Sequence, residues 1–367
     1  MNRIFINGKF TAQRVTGVQR LAFGLVEALD RALAARPSSA SWVLLCPPGA
    51  EPPPLRHIRV EFGGPRSFGM HFWEQFALPI LSRSGCLLNL SGPAPLLKRR
   101  QVCMLPDAAV FDQPAAYTKL FAVWYQFMFR RLAASAVLLL TISRFSQLRL
   151  AQRLGVAPER LKVVPCAATH MQSIEQDDTA LRSLALAGVT YVLAVGSANP
   201  TKNLPALIEA FGRLPHPDLR LVLVGGTNGA VFANETALRE DARILRSGPI
   251  SDGQLKSLYS NASAFVFPSL YEGFGLPPLE AMSLGCPVVA SNAASIPEVC
   301  GDAAVYFDPA SVTDMASAIE RVVDDADLRA DLRLRGAERF ATFTWDAAAQ
   351  LLMQHLEQAG LTQRNHA

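Results

Sequence analysis

No stretch of this 367-residue chain approaches the ~20 consecutive apolar residues that a membrane-spanning helix needs. The best window, Leu132 to Ile142, reaches about half that length. The N-terminus, Met1-Asn2-Arg3-Ile4-Phe5-Ile6-Asn7, is too short in its apolar part for a secretory signal, so a cytoplasmic protein is expected. Histidine is scarce, and the 6 present form no ligand spacing, which argues against a zinc site. The 6 cysteines (Cys46, Cys86, Cys103, Cys166, Cys286 and Cys300) include no C-x-x-C and no paired spacing. Several lie in apolar runs, which predicts buried free thiols in a reducing compartment rather than a disulfide framework. Internal repeats of solenoid period and low-complexity segments are also missing. Charge is sparse at 18%, whereas half of the residues are apolar, enough for sizeable cores. The length exceeds one ordinary domain and predicts two.

The net charge of +4 hides an asymmetry. Residues 1–165 hold 21 Lys and Arg against 8 Asp and Glu, and the remaining residues hold 14 against 23. The split marks a domain boundary near the middle and an anionic partner for the basic half. No basic cluster with interleaved aromatics stands out, so no nucleic-acid partner is expected. An anionic membrane surface or a diphosphate-linked lipid fits better. The plainer alternative is a basic wall that steers phosphate into a site.

Strand-like and helix-like segments alternate along the chain. Arg3–Asn7, Trp42–Cys46, His57–Phe62, Cys86–Leu90, Val102–Leu105, Val137–Ile142 and Leu161–Val164 read as short buried strands. Helical patterns cover Gly17–Ala34, Tyr117–Ala134 and Arg144–Leu154. The second half repeats the scheme, with strands at Tyr191–Val195, Leu219–Val224 and Ala264–Phe267 and helices at Leu204–Phe211, Asp252–Tyr259 and Pro278–Leu284. Such alternation predicts α/β domains with doubly wound parallel sheets, and the polar stretch Ala167–Asp178 reads as their connection. Ligands of such sheets lie outside the C-terminal strand ends, where Lys202, Gly225 and Glu272 fall.

The densest signal is Tyr271-Glu272-Gly273-Phe274-Gly275-Leu276-Pro277-Pro278-Leu279-Glu280. Glu272 lies in the loop after an apolar strand. Pro277 and Pro278 then open a helix, where a missing N–H is no loss, and Glu280 is expected within its first turn. A strand, a loop and a helix N-terminus in this order suit an anion, and ionised carboxylates accept hydrogen bonds from hydroxyls. An anionic group bearing several hydroxyls describes a sugar nucleotide.

Glu272 and Glu280 match the E-x7-E motif of the retaining glycosyltransferases of family 4, which have the GT-B fold. Val195-Gly196-Ser197-Ala198-Asn199-Pro200-Thr201-Lys202-Asn203-Leu204 is similar to that family's donor-phosphate segment. Gly285-Cys286-Pro287-Val288-Val289-Ala290-Ser291 and Ile296-Pro297-Glu298-Val299 also resemble its C-terminal half. The resemblance is dense over residues 190–345 and looser before them. It implies two Rossmann-like domains facing across a cleft: residues 1–170 binding acceptor, 180–345 binding the nucleotide-sugar donor, and a helical segment 346–367 that packs back on the first.

The resemblance also implies roles. Glu280 holds the donor's ribose hydroxyls; read alone, it is a favourable acid in a first turn. Glu272 lies near the donor sugar, with Gly273, Phe274, Gly275 and Leu276 bringing backbone to it. Lys202 neutralises a phosphate oxygen, or else is a solvated loop lysine. Ser197 and Thr201 stand where many relatives carry an arginine, which leaves a weaker clamp of hydroxyls and backbone. Thr16-Gly17-Val18-Gln19-Arg20 is similar to the N-terminal glycine loop over the diphosphate, and a simple helix start is the other reading of Gly17. Gly248-Pro249-Ile250 resembles the segment that meets the base. The cluster Gly225-Gly226-Thr227-Asn228-Gly229 could also approach the ligand.

One departure stands out. Relatives commonly carry His-Asp where this chain has Pro106-Asp107, so no imidazole is available there. His71 is then the histidine in the most cleft-like setting. Asp107 binds the donor sugar, orients the acceptor or only caps a turn. The retaining mechanism usually proposed for the family tolerates the loss, because the leaving diphosphate accepts the acceptor's proton and the enzyme positions and stabilises. Glu272, Lys202 and Asp107 are the catalytic candidates. No metal or cofactor is expected, since Asp324-Asp325-Ala326-Asp327 reads as helix caps rather than a D-x-D metal site. The helix Tyr117–Ala134 reads either as a core helix with a charged end or as an interfacial helix touching lipid headgroups.

Taken together, these features predict a hexosyltransferase that carries mannose from GDP-mannose to a glycan or polyprenyl-diphosphate-linked acceptor, in the cytoplasm or at the inner face of the membrane. Trp73-Glu74-Gln75 to Asn89-Leu90-Ser91-Gly92-Pro93 is similar to mannosyltransferases of surface-polysaccharide pathways. Two rivals stand: a catalytically impaired protein that binds nucleotide sugar or glycan in an assembly complex, and a sugar-nucleotide epimerase, against which the E-x7-E spacing argues.

Overall fold

The computed structural model describes residues 3–35, 38, 40–65, 69–197, 199–225 and 241–362. Ala198 and the run Gly226-Thr227-Asn228-Gly229 lie outside the described residues. The chain divides into two compact units, residues 1–167 with 344–367, and residues 168–343.

The first unit is built on seven parallel strands: β1 (Arg3–Asn7), β2 (Ser41–Cys46), β3 (Arg59–Phe62), β4 (Cys86–Asn89), β5 (Gln101–Met104), β6 (Leu138–Thr141) and β7 (Leu161–Val163), in the order 3-2-1-4-5-6-7. Phe5 pairs with Val43 on one side and Leu87 on the other, so β1 is central and buried on both faces. Apolar runs without alternation follow from such burial. At the edge, β3 (Arg-Val-Glu-Phe) is largely exposed, and its charged residues discourage further pairing. Against the β5–β6 side packs a cluster that includes Leu105, Met128, Leu132, Leu139 and Leu150.

Helix boundaries follow local chemistry. Ser143 caps the helix Arg144–Leu154 by accepting the Ser146 N–H, and Gly155 closes it in the left-handed conformation at φ +67°. The helix Trp345–Gln358 packs on the helix Gly17–Ala35. Gly24 makes this close approach possible, since a Cβ there would lie 2.3 Å from the Trp345 ring. The exposed Arg31–Asp346 pair, at 2.6 Å, adds little by comparison.

The second unit has six parallel strands: β8 (Tyr191–Val195), β9 (Arg220–Val224), β10 (Ile244–Gly248), β11 (Ala264–Phe267), β12 (Val288–Ser291) and β13 (Ala304–Phe307), in the order 10-9-8-11-12-13. Its core joins Val192, Leu207, Phe211, Val266 and Ile319. In both sheets the order reverses beside the first strand, between β1 and β4 and between β8 and β11. At such a reversal the following loops leave in opposite directions and open a crevice.

All six cysteines are buried and unpaired. Burial pushes the Cys286 and Cys300 thiols up to about 12, which keeps them protonated and inert.

Candidate donor site in the second unit

The loops after β8 and β11 meet at the reversal of the second sheet. Gly196 donates its N–H to the Val224 carbonyl at 3.0 Å, holding the start of the first loop against β9. Pro200–Lys202 then forms a single tight turn capped by Asn199, whose Oδ1 accepts from Thr201 N at 2.9 Å and Thr201 Oγ1 at 2.8 Å. The Thr201 hydroxyl expected for the phosphate clamp is therefore engaged within its own turn. Leu270 N–H donates to the Thr201 carbonyl at 2.8 Å and stitches the two loops together. Ser197 is exposed at the mouth of the first loop.

This stitching brings Lys202 and Glu272 into contact across 70 residues of sequence. Lys202 Nζ donates to Glu272 Oε1 at 2.6 Å and sits 5.8 Å from the Phe267 ring centroid. Both charges keep partial solvent access, at 24% and 15% exposure, so the pair can exchange partners for an incoming anion and hydroxyl. Ser295, which the sequence reading did not single out, orders the loop from beneath. Its buried Oγ lies 2.9 Å from the Glu272 carbonyl and 2.7 Å from that of Phe274, and its one proton is shared between them.

The position of Glu280 differs from expectation. The helix starts at Leu276 and runs to Ser283 with no acid in its first turn. Glu280 lies one turn further in, 7% exposed, and side chains rather than the helix end hold its carboxylate. Oε1 is 3.1 Å from His170 Nε2, and Oε2 accepts from the Tyr259 hydroxyl at 3.4 Å. An ionised carboxylate only accepts, so a proton on His170 Nε2 would complete the contact; Nδ1 is buried with no partner among the described residues. His170 falls in the stretch read as the connection between domains, and His71 was the histidine with a cleft-like setting, which could equally be an acceptor-side surface. Instead His170 sits in the one-turn helix His170–Ser173, against the second acid. A contact spanning 110 residues leaves no local sequence signal.

The remaining candidates fall as follows. Gly273 and buried Phe274 belong to the β11 loop, and Gly275 caps the helix that Leu276 begins. Pro277 and Pro278 carry no N–H, so donors at this end come from the residues before them. Ile250, half-buried, follows edge strand β10. Gly17 and Asp107 are in the first unit. Gly17 is the first residue of its helix, and Thr16 N–H donates to Gln19 Oε1 at 3.2 Å, a local N-terminal cap. Asp107 Oδ1 accepts from Ala109 N at 2.7 Å, the geometry of a capped turn, and the Pro106 carbonyl accepts from Thr141 Oγ1 at 3.2 Å. Asp325 caps the helix Ala326–Ala341, and Asp324 lies 2.7 Å from His216 Nε2. Among the described residues, no group of three or more His, Cys, Asp or Glu side chains is placed to hold a metal ion.

Two doubly wound α/β units, each with its order reversed at the first strand, define a GT-B fold. The same architecture occurs in sucrose-phosphate synthase from Thermosynechococcus elongatus, with a TM-score of 0.75 at 20% identity over 98% of this chain and 99% of that one. WaaG, a glycosyltransferase involved in lipopolysaccharide biosynthesis, superimposes with a TM-score of 0.68 at 15% identity over 97% and 99% of the two chains. Residues 178–339 match the family described as glycosyl transferases group 1. The chain is 31% identical over 256 residues to O-antigen chain mannosyltransferase B of Escherichia coli, covering 67% of each protein. It is 32% identical over 204 residues to the serotype-specific mannosyltransferase WbdA of Escherichia coli, spanning 53% of this chain but 24% of that protein. This chain belongs to the group 1 glycosyl transferases.

Proposed function

We propose that the protein is a retaining hexosyltransferase of family 4 that transfers mannose from GDP-mannose to a glycan or a polyprenyl-diphosphate-linked acceptor in surface-polysaccharide assembly. The observation that carries this reading is the Lys202–Glu272 pair between the loops after β8 and β11, where the sheet order reverses, with Glu280 on the helix that follows the second loop. The mannosyltransferase relatives support the choice of sugar.

In this reading Glu280 accepts from ribose hydroxyls and Glu272 from hydroxyls of the donor sugar. Lys202 turns from Glu272 to the diphosphate, aided by the backbone of Phe274, Gly275 and Leu276 and by Ser197. Ile250 borders the base. The bond from the sugar's anomeric carbon to the diphosphate oxygen breaks as the bond to the acceptor oxygen forms on the same face. The acceptor's proton passes to the departing diphosphate, so no protein nucleophile, cofactor or metal takes part. Asp107 orients the acceptor or the donor sugar.

The protein works at the inner face of the membrane in this reading. No helix among the described residues is long and apolar enough to cross a bilayer. The helix Lys119–Ser135 instead exposes Leu120, Val123, Trp124 and Phe127, spaced i, i+3, i+4 and i+7, beside exposed Lys119, Arg130 and Arg131. An apolar stripe flanked by cations suits an anionic lipid surface.

Incubating the purified protein with GDP-mannose and following GDP release, with and without a lipid-diphosphate glycan, tests the reaction. Calorimetry with GDP tests the site. Loss of a hydrogen bond to a charged group costs about 1.5–3 kcal/mol, so Glu280→Ala weakens GDP binding roughly ten- to hundredfold. Unchanged affinity in the folded variant would remove Glu280 from the site. The departure at Pro106 favours a second reading, a protein that binds nucleotide sugar without turning it over; binding with no GDP release across a broad acceptor panel would select it.

A further inference from the structure

Glu280 is a buried carboxylate, and among the described residues no lysine or arginine pairs with it. No group of its own helix bonds the carboxylate either, so two side chains from elsewhere hold it. Tyr259, fully buried in the helix Asp252–Asn261, brings its hydroxyl to 3.4 Å from Oε2, a long contact. His170 Nε2 lies closer, 3.1 Å from Oε1. The buried Nδ1 on the far side of the ring has no partner among the described residues. A proton on Nε2 completes the contact and strands no donor. A proton on Nδ1 alone would leave a buried donor without an acceptor and set two lone pairs against each other.

The backbone beneath His170 is fastened. His170 opens its one-turn helix at the start of the second unit, and Met171 beside it is fully buried. Lys256 Nζ donates to the Gln172 carbonyl at 3.2 Å and to the Ile174 carbonyl at 2.7 Å. Asp177 N–H donates to the Gly253 carbonyl at 3.1 Å. The stretch that leads into the second unit is thereby tied to the helix that also carries Tyr259. An imidazole on a held backbone fixes the rotation of the carboxylate it donates to, which removes part of the ordering cost of binding. Each carboxylate oxygen keeps a further lone pair, so Glu280 can receive two neighbouring hydroxyls without releasing His170.

We infer that His170 is a positioning residue for the nucleotide: it donates from Nε2 to Glu280 Oε1 and so sets the carboxylate to receive the vicinal ribose hydroxyls. The inference rests on the donor reading above, which places those hydroxyls on Glu280.

Calorimetry on the full chain with GDP, UDP and their 2′,3′-dideoxy analogues tests the role, since the analogues keep base and diphosphate and lack the hydroxyls. His170→Phe is expected to weaken binding of the ribonucleotide about tenfold and that of its dideoxy analogue by less than about twofold. A general disturbance of the fold would weaken both alike. His170→Gln, whose amide N–H reaches about as far as Nε2, should recover most of the affinity. Imidazole NMR on wild-type protein serves if neither variant folds: one Nε2–H imidazole should respond to the ribonucleotide and not to the dideoxy analogue. Equal losses on both ligands, unchanged affinity in His170→Phe, no recovery in His170→Gln, or an imidazole spectrum indifferent to the ribonucleotide would overturn the role and leave the donor site standing. Wild-type protein that binds neither ribonucleotide would overturn the donor reading and this role together.

Discussion

Gly225 leaves β9 at φ +141°, and a Cβ there would lie 1.9 Å from the carbonyl oxygen of Gly196. Backbone meets backbone at this point, so neither side can move away without shifting the loop that begins at Gly196. Gly225→Ala is expected to cost ~1–3 kcal/mol from strain and overpacking, read as a lower urea midpoint. It should also weaken GDP binding, because the turn that carries Lys202 starts from Gly196. Wild-type stability in this variant would show that the close approach is relieved at no cost. The glycine itself was legible as a loop residue after a strand; its necessity was not, because the carbonyl it faces belongs to a loop 29 residues earlier. Lys202 and the two acids were legible from spacing for the opposite reason, since each sits in a motif whose neighbours shape its own backbone.

Among the elements, the helix Asp252–Asn261 shows how local chemistry sets a boundary. Ser251 Oγ accepts from Gln254 N at 3.2 Å while the Gln254 side chain accepts from Ser251 N at 3.0 Å, a reciprocal capping box. Ser251→Ala should destabilise the protein by ~1 kcal/mol, measured by urea unfolding. Because Ile250 adjoins this cap, a fall in GDP affinity beyond that small loss of stability would tie the helix start to the base. Most central strands were readable as apolar runs, since both their faces are covered, although buried β12 was not singled out. Edge strand β10, Ile-Leu-Arg-Ser-Gly, was not, because its half-exposed residues need no apolar run. The helix Lys119–Ser135 escaped a single reading for a related reason. Ala122, Met128, Phe129 and Leu132 face the core while Leu120, Val123, Trp124 and Phe127 face solvent, so it is apolar on opposite sides and its periodicity is blurred.

Across the whole molecule, the first unit is completed by the chain's end. The helix Trp345–Gln358 carries His355, and burial of the imidazole, with some repulsion from Lys162, holds its pKa below the usual value. The folded state therefore favours neutral His355. Its contribution to stability is full above the unfolded imidazole pKa of about 6.5 and is lost as pH falls through the folded value. Stability measured by urea unfolding should decline from pH 7 to pH 5, and His355→Gln should flatten that part of the decline. An unaltered slope in the variant would assign the acid sensitivity to other groups.

Strand and helix order, the doubly wound sheets and the positions of Lys202 and Glu272 are written in short stretches of chain, because apolar runs, prolines and glycines act on their immediate neighbours. The partner of Glu280, the shared proton of Ser295, and the burial of Lys9 on Glu74 arose only on folding. Each joins residues from separate elements, and a contact between distant segments imposes no pattern on the sequence around either partner.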